Sequence, residues 1–404
     1  MKKSIVIIGA GAAGCFCTAI LKRQCPDLQV TVLEKGRAPM AKLSVTGGGR
    51  CNLTNSFAGI RSMKEAYPRG ARLMERLMKQ FSWEDTIRWF ENEGVPLVLQ
   101  DDNCWFPRSQ DAMDIVRALG RGMRDSKVIT GAKVTAIRQA GPGFTVETEA
   151  GNFPADSVIV TAGGFHSPSG YSFLEGLPVE TRPPLPSLYP LKCDDPSIRE
   201  LTGTVVDATA FIPGTTFKAS GPLLITDWGF SGPAILKLSS YAAPYIAERD
   251  FRFTLGIRWN GDSSEDETRS WLATAVYANP RKLIRSVHPD GIPSRLWSVL
   301  LDKAGISREL RWYEAGAKAL NRITAVLCSD TVRISGRFPH REEFVTCGGV
   351  SLDSVNSSTL EAKDLKGLFF AGEVLDIDGI TGGFNLQAAW TTGYVVAKSI
   401  IFAL

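Results

Sequence analysis

A glycine pattern near the start of the chain constrains the fold more than any other sequence feature. A short apolar run at residues 5–8 precedes G-x-G-x-x-G, and a helix-length segment of small residues follows it. A second β-branched run, at 29–33, ends in Glu34, which lies 20 residues beyond the last glycine of the pattern. This is the spacing of the βαβ unit that binds dinucleotides. The sequence therefore predicts a Rossmann-like α/β domain with an adenine dinucleotide.

Each glycine of this fingerprint has a separate physical task. Gly9 permits the turn after the strand, Gly11 lets the backbone approach a pyrophosphate, and Gly14 lets the helix pack on the strand. Ala12 and Ala13 complete the predicted phosphate-binding turn, where the helix N-terminus faces the anion. Close packing of a small-residue helix is the alternative explanation for three glycines.

The acid at the end of the second strand indicates which nucleotide fits. Glu34 is placed to accept hydrogen bonds from the diol of an adenosine ribose. Its charge disfavours a 2′-phosphorylated ribose, because two negative groups would face each other. Lys35 beside it is included among the predicted cofactor contacts. This unit alone does not distinguish NAD from FAD.

The C-terminal region favours FAD. Residues 367–373 predict a buried strand that ends in a glycine and an acid, and a glycine-rich loop at 379–385 precedes a helix over 386–398. FAD is longer than NAD and needs a second contact of this kind for its ribityl chain. The helix start would stabilise the electron-rich side of a reduced flavin. The predicted contacts here are Gly372, Glu373, Gly383, Phe384, Asn385 and Leu386.

Three predicted strands between these ends add contacts on the adenine side. They cover 133–137, 144–148 and 157–160, and glycine-containing turns separate them. Such a meander resembles FAD-dependent folds of the glutathione-reductase type, in which Val134 would contact the adenine through its backbone. Ordinary β-packing is the alternative for each strand. The last strand leads into three further predicted contacts, Thr161, Ala162 and Gly163.

Four blocks carry a resemblance to one family. They are the N-terminal fingerprint, TGGGRCNLTN at 46–55, GFSGP at 229–233 and the glycine-rich region at 348–387. Together they resemble the bacterial BaiN/RdsA-like flavoproteins, also known as the YhiN family or as aminoacetone-oxidase-like FAD enzymes. The resemblance covers essentially the whole chain. It implies an FAD-dependent oxidoreductase with non-covalent FAD.

The 46–55 block supplies further candidate contacts. Arg50 offers a fixed positive charge for a phosphate or a substrate, and Asn52 offers an amide for a carbonyl edge. Cys51 is either a proton donor or redox group near the flavin, or a small buried hydrophobe. The glycines that can bring the backbone close to pyrophosphate or flavin are Gly47, Gly48 and Gly49.

Because a flavin supplies hydride chemistry, no catalytic triad or metal is required. The histidines, His166, His288 and His340, are too scattered to predict a zinc site, and no metal is expected. Two aspartates near the expected flavin fit either a substrate role or turn formation. The catalytic candidates are Arg50, Cys51, Asn52, Asp376 and Asp378.

An inserted region separates the two predicted flavin-binding segments of the chain. The FAD-binding domain is predicted at 1–188 and 346–404, and an inserted substrate or cap domain at 189–345. Residues 183–186, Pro-Pro-Leu-Pro, predict a rigid extended linker at the exit. The insert is β-rich over about 189–260 and mainly helical over about 261–345. The family resemblance implies a β-barrel-like piece with a small helical piece.

Charge and cysteine content bear on partners and compartment. The chain has 46 basic and 42 acidic residues, a mild net +4 that neither requires nor excludes an RNA partner. Eight irregularly spaced cysteines favour a reducing cytoplasm over a disulfide framework. The uncharged run at 4–21 predicts strand, turn and helix rather than a signal peptide, so no membrane partner is expected.

The leading functional hypothesis is hydride addition to an activated C=C bond of a conjugated carbonyl substrate. NADH or NADPH would be a transient electron donor, because no second dinucleotide fingerprint follows the first. The family resemblance implies two substrate classes, a bile-acid-type enone and uridine of 23S ribosomal RNA. Alternatives are an amine oxidase of the aminoacetone type that releases hydrogen peroxide, and a non-catalytic flavin-binding scaffold.

A basic segment is available for ribosomal RNA. Residues 281–345 contain 12 basic and 7 acidic side chains, with Trp297, Trp312 and Tyr313 among them. Such a segment would combine charge with aromatic stacking. A solvated helix face is the alternative interpretation.

Overall fold

The computed structural model describes residues 3–338 and 345–404. The chain divides into two compact units. The first unit combines Met1–Pro186 with Val345–Leu404, and the second is Ser187–Phe344. Each unit has its own sheets and core, so each is described by itself.

A five-stranded parallel sheet forms the centre of the first unit. Residues 5–8 are at most 5% exposed, as expected for a central strand buried on both faces. The predicted strand, turn and helix at the N-terminus are confirmed, and Glu34 ends the second strand. The strands in sheet order are Leu368–Phe370, Ser157–Val160, Ser4–Ile8, Gln29–Glu34 and Lys127–Thr130.

The first and last helices of this unit pack closely. A side chain at Gly393 in the last helix would lie 2.9 Å from the carbonyl oxygen of Ala13 in the first. The last helix, Phe384–Phe402, is longer than the predicted 386–398. No helix in the described ranges is long and apolar enough to cross a membrane. The α-helices are Ala12–Gln24, Ala41–Val45, Met63–Ala66, Ala71–Leu77, Trp83–Asn92, Met113–Gly122 and Phe384–Phe402.

The antiparallel meander corrects one prediction. Its strands are Val134–Ala140, Gly143–Thr148 and Gly151–Ala155. The predicted third strand at 157–160 was wrongly assigned to it, since Ser157–Val160 pairs in parallel with Ser4–Ile8. The physical reason is burial: residues 158–160 are fully buried and apolar, which suits a sheet covered on both faces.

Two smaller sheets complete the first unit. The predicted proline-rich linker at 183–186 is wrong in one respect, because it lies inside the strand Thr181–Ser187, which pairs with Val345–Val350. A two-stranded ribbon leaves an edge free, where proline needs no hydrogen-bond partner. The other sheet has three short strands, Thr54–Asn55, Cys104–Pro107 and Leu97–Leu99.

A closed six-stranded barrel forms the second unit, which confirms the expected β-barrel-like piece. Its last strand comes from the part predicted as mainly helical. The strands in barrel order are Leu191–Cys193, Gly229–Ser231, Lys218–Thr226, Val205–Phe211, Phe253–Arg258 and Asp330–Arg337. The helices are Pro196–Arg199, Pro233–Tyr241, Ala243–Ala247, Glu265–Ala278, Ser294–Lys303 and Ala317–Ser329.

Short 3₁₀ helices occur in both units. One of them, Trp312–Glu314, places a fully buried tryptophan in the core of the second unit. The remaining ones are Pro168–Leu174, Ile284–Ser286, Leu352–Ser354 and Gly372–Val374.

Candidate functional site

A cavity of about 430 Å³ in the first unit collects residues from distant parts of the chain. It lies at the carboxyl ends of the central strands, where ligands bind in open α/β sheets. The predicted contacts that line it are Gly9, Gly11, Ala12, Ala13, Glu34, Lys35, Thr161, Ala162, Gly163, Gly372, Glu373, Asn385 and Leu386.

The fingerprint glycines differ in what surrounds them. A side chain at Gly14 would lie 2.1 Å from the carbonyl oxygen of Gly9, and one at Gly9 would lie 2.4 Å from that of Thr161. A side chain at Gly11 would meet no atom within 4 Å. Gly9 and Gly14 are therefore required by packing. Gly11 faces open space at the N-cap of the first helix, which fits a bound phosphate.

Glu34 joins the second strand to the fingerprint turn. Its carboxylate accepts hydrogen bonds from the backbone N–H of Ala10, at 2.9 Å, and of Gly36, at 2.7 Å. Each carboxylate oxygen has a further lone pair, so the group can still accept from a ribose diol. The acid both shapes the turn and lines the cavity.

Several lining residues were missed by the sequence analysis. Arg37 and Lys42 follow Glu34 in the chain and line the cavity together with Lys35. None of these three cations forms an ion pair within residues 3–338 and 345–404. Their excess positive charge suits a pyrophosphate. The sequence has basic residues at 35, 37 and 42, shortly after Glu34, but no spacing rule places Arg37 and Lys42 at a cavity.

The start of the last helix also lines the cavity. Asn385 closes the glycine-rich loop, because its side-chain oxygen accepts from the Gly379 N–H at 2.8 Å and its side-chain nitrogen donates to the Gly379 oxygen at 2.8 Å. The N-cap residue Gly383 has a φ of 88° and no side-chain cap. Backbone N–H groups of the first turn are thus free for a ligand.

Two predicted contacts on this helix lie outside the cavity lining. A side chain at Gly383 would lie 2.7 Å from Asn52 Oδ1, so packing and a left-handed φ require glycine there. The ring of Phe384 packs against the ring of Phe57. The backbone carbonyl oxygen of Phe384 accepts a hydrogen bond from the hydroxyl of Tyr67. Both residues shape the loop that presents Asn385.

The 46–55 block reaches the cavity through Thr46 rather than through its glycines. Arg50 is exposed and stacks over the ring of Phe106, with 4.8 Å from its Cζ to the ring centroid. The three glycines of the block all have left-handed φ values and lie outside the lining: Gly47 at 60°, Gly48 at 67° and Gly49 at 79°.

Cys51 and Asn52 are held inside the protein. Burial raises the pKa of the Cys51 thiol to about 12, so the thiol stays neutral at physiological pH. Asn52 Oδ1 is buried, and no donor reaches it within the described ranges. Neither residue lines the cavity, and neither does Val134 at the start of the meander. The Cys51 environment is that of a small buried hydrophobe.

The two candidate aspartates are buried, and each forms an ion pair with an arginine. Asp378 is fully buried and binds the guanidinium of Arg69 through both carboxylate oxygens. Asp376 accepts from Arg182 at 3.1 Å and from the backbone N–H of Gly348 at 3.0 Å. These contacts fix the loop around Ile377, which does line the cavity. The observed contacts of Asp376 and Asp378 therefore hold this loop in place.

The histidines show no metal arrangement. His166 is exposed, and His288 lies 2.9 Å from the hydroxyl of Ser294. His340 lies outside the described residues. Within the described ranges, no three His, Cys, Asp or Glu side chains are grouped as metal ligands.

The cavity fits FAD. Its lining joins a phosphate-binding turn, a ribose acid and a second helix start, and these come from opposite ends of the chain. Gly11 leaves the turn open, and three cations that form no ion pair in the described ranges line the same cavity. A molecule with an adenosine diphosphate at one end and a flavin at the other matches this order.

Comparisons with known proteins agree with this geometry. A solved E. coli quinol fumarate reductase FrdA variant shares the fold, with a TM-score of 0.50, 12% identity and coverage of 100% of this chain and 71% of that one. A 3-dehydro-bile acid delta(4,6)-reductase of Clostridium scindens is 28% identical over 98% of each chain. A ribosomal RNA dihydrouridine synthase of Escherichia coli is 27% identical over 98% of each. The family model described as HI0933-like protein Rossmann domain matches residues 3–399, so the chain belongs to this family of FAD-dependent oxidoreductases, as the resemblance predicted.

Proposed function

We propose that this protein is a reductase that uses NADH or NADPH to add hydrogen to an activated C=C bond of a conjugated carbonyl compound. One observation carries the proposal: two relatives are named for different substrates, and both names denote reduction of a C=C bond. A 3-oxo-Δ4,6 steroid and a uracil ring each have a C=C bond in conjugation with a carbonyl. Reduction of either adds a hydride and a proton.

The adenosine end of the cofactor would be held by the fingerprint turn. The free N–H groups of Ala12 and Ala13 and the open face of Gly11 would bind the pyrophosphate, and Glu34 would bind the ribose. Lys42 adds positive charge on the same side. Bound FAD supplies the hydride transfer itself.

The flavin end would be oriented by the last helix. The free N–H groups at Asn385 and Leu386, with the positive end of the helix dipole, would hold negative charge on the ring. The Asn385–Gly379 hydrogen bonds keep this helix start in place. Fixed donors of this kind favour the reduced cofactor, which is the form that reacts with an electron-poor alkene.

Uridine in ribosomal RNA is the second candidate substrate. Dihydrouridine synthases from two organisms match 98% of this chain, at 27% and 26% identity. Their names specify a polymeric substrate, whereas the Clostridium scindens relative is named for a small molecule. The reaction would be the same hydrogen addition in both cases.

Anaerobic stopped-flow spectroscopy of the FAD-loaded protein tests the proposal. We expect NADH or NADPH to bleach the flavin absorbance, and a conjugated enone to restore it. The matched saturated ketone should leave the flavin reduced, because it has no C=C bond to accept the hydride. Bleaching by an amine and by neither nucleotide, with hydrogen peroxide released once oxygen is admitted, would contradict the proposal.

A further inference from the structure

We propose that the second unit carries a docking face for single-stranded RNA. The face consists of Tyr277, Tyr313, Arg281, Lys282 and Arg311, and we call it the aromatic-basic face. The inference rests on the proposed function only for the reaction that follows binding. Binding itself depends on the charge and stacking surface described below.

Backbone hydrogen bonds join two segments into this face. The N–H of Tyr313 donates to the oxygen of Pro280 at 2.9 Å, and the N–H of Trp312 donates to the oxygen of Lys282 at 3.1 Å. Trp312 is fully buried, and its ring meets Trp271 edge-on at 6.1 Å. The segments are therefore anchored in the core while their other side chains point outward.

Two tyrosine side chains stand in solvent on this face. Tyr277 is 89% exposed and Tyr313 is 58% exposed. The tryptophans that the sequence analysis considered for stacking, Trp297 and Trp312, are both fully buried and cannot contact RNA. The tyrosines are therefore the stacking residues. Exposed aromatic faces bind bases of single strands, whose rings are not already stacked in a duplex.

Three cations lie in the two segments that the backbone hydrogen bonds join. Arg281, Lys282 and Arg311 are exposed, and none forms an ion pair within residues 3–338 and 345–404. Of the two nearby acids, one is paired with another cation, whereas the other lies on the face and keeps its charge, which leaves a smaller excess of positive charge. Glu309 lies 3.5 Å from Arg285, and Glu314 accepts from the Arg311 backbone N–H at 2.9 Å and from the Tyr313 hydroxyl at 3.1 Å. Uncompensated positive charge remains for a polyanion.

The tyrosines and cations together favour RNA over an acidic protein segment. Cations alone would attract RNA and an acidic protein segment equally. Two open aromatic rings beside them add a stacking contribution that bases supply and carboxylates do not. Tyr313 is also oriented by its hydroxyl bond to Glu314, which fixes the ring before a base arrives.

Fluorescence anisotropy of the FAD-loaded protein with a labelled uridine-containing RNA strand tests the docking face. We expect Tyr277→Ala and Tyr313→Ala each to weaken binding about fivefold or more, since stacking contributes about 1–3 kcal/mol per base. Neutralising Arg281, Lys282 and Arg311 together should reduce the slope of log affinity against log salt by about 2. Phe402→Ala, at another exposed aromatic, is the matched control and should bind as wild type.

The outcomes separate this inference from the proposed function. Loss of RNA binding in the tyrosine variants, with flavin reduction and enone turnover unchanged, supports the docking face. Wild-type affinity in both tyrosine variants overturns it, as does equal binding of a polyglutamate peptide. If the protein reduces the enone but binds no RNA, the docking face alone is wrong. If it binds RNA through these residues but reduces no C=C bond, the proposed function alone is wrong.

Discussion

At the residue scale, two glycines three positions apart have different roles. Gly11→Ala should leave the fold intact, since its side chain would meet no atom within 4 Å, yet it would occupy the space proposed for the pyrophosphate. We expect about tenfold weaker FAD binding, measured by fluorescence quenching of FAD, with thermal stability unchanged in the absence of cofactor.

Gly14→Ala is the matched comparison. The added methyl group would lie 2.1 Å from the Gly9 carbonyl oxygen, so overpacking should destabilise the protein by about 1–3 kcal/mol. Urea unfolding without cofactor measures this difference. Equal stability of the two variants would contradict the division of tasks between the glycines.

The buried thiol of Cys51 predicts a loss of stability at alkaline pH. Burial raises its pKa to about 12 in the folded protein, whereas an unfolded thiol ionises near pH 8.5. Below that pH both states are protonated, and above it only the unfolded state gains free energy by ionising. We expect urea unfolding to show that Cys51→Ala removes about 2 kcal/mol of the stability lost between pH 7 and pH 10. An alkaline loss of the same size in wild type and variant would contradict this.

At the element scale, the Arg69–Asp378 pair holds the loop around Ile377. Asp378 is fully buried and the Arg69 side chain is 16% exposed, so Asp378→Asn would remove the buried carboxylate that binds this guanidinium through both oxygens. We expect a loss of roughly 3 kcal/mol in the free energy of unfolding. Chemical denaturation followed by tryptophan fluorescence measures it.

The neighbouring pair provides the control. Arg182 is 59% exposed, so Arg182→Ala should change the unfolding free energy by less than about 1 kcal/mol. If the two substitutions destabilise the protein equally, burial is not what makes the Arg69–Asp378 pair important.

Elements with strong local patterns were predictable from the sequence, whereas elements defined by pairing were not. The N-terminal strand, turn and helix follow from a continuous apolar run and from glycine spacing. Gly151-Asn152 was predicted as a turn, yet these residues begin the strand Gly151–Ala155, which pairs with residues 144–148. Partner strands decided its conformation, and a single sequence does not show them.

Residues of the site were predictable where a known cofactor-binding motif specifies them. Residues that reach the cavity only through the path of the folded chain were missed. Glu34 and most of the fingerprint, which were predicted as ribose and phosphate contacts, line the cavity. Arg37, Lys42 and Thr46 reach the cavity through the path of the chain after the second strand, and no spacing rule reports that path. Conversely, Gly383 and Cys51 belong to distinctive motifs but serve packing.

At the scale of the whole molecule, the first unit is built from both ends of the chain. The fingerprint and the last helix are separated by more than 300 residues of sequence and line one cavity. The barrel unit lies between them in sequence and has its own core. The cavity proposed for FAD therefore forms only when these two chain segments come together during folding.

The central claim is that these two ends hold opposite halves of one FAD. Isothermal titration of ADP and FAD into wild type, Gly11→Ala and Asn385→Leu tests it most directly. Asn385→Leu removes both hydrogen bonds that hold Gly379, so only the flavin end should be disturbed. We predict that Gly11→Ala weakens both ligands, while Asn385→Leu weakens FAD by about tenfold and leaves ADP unchanged. Wild-type FAD affinity in Asn385→Leu, or a parallel loss of ADP, would contradict the account.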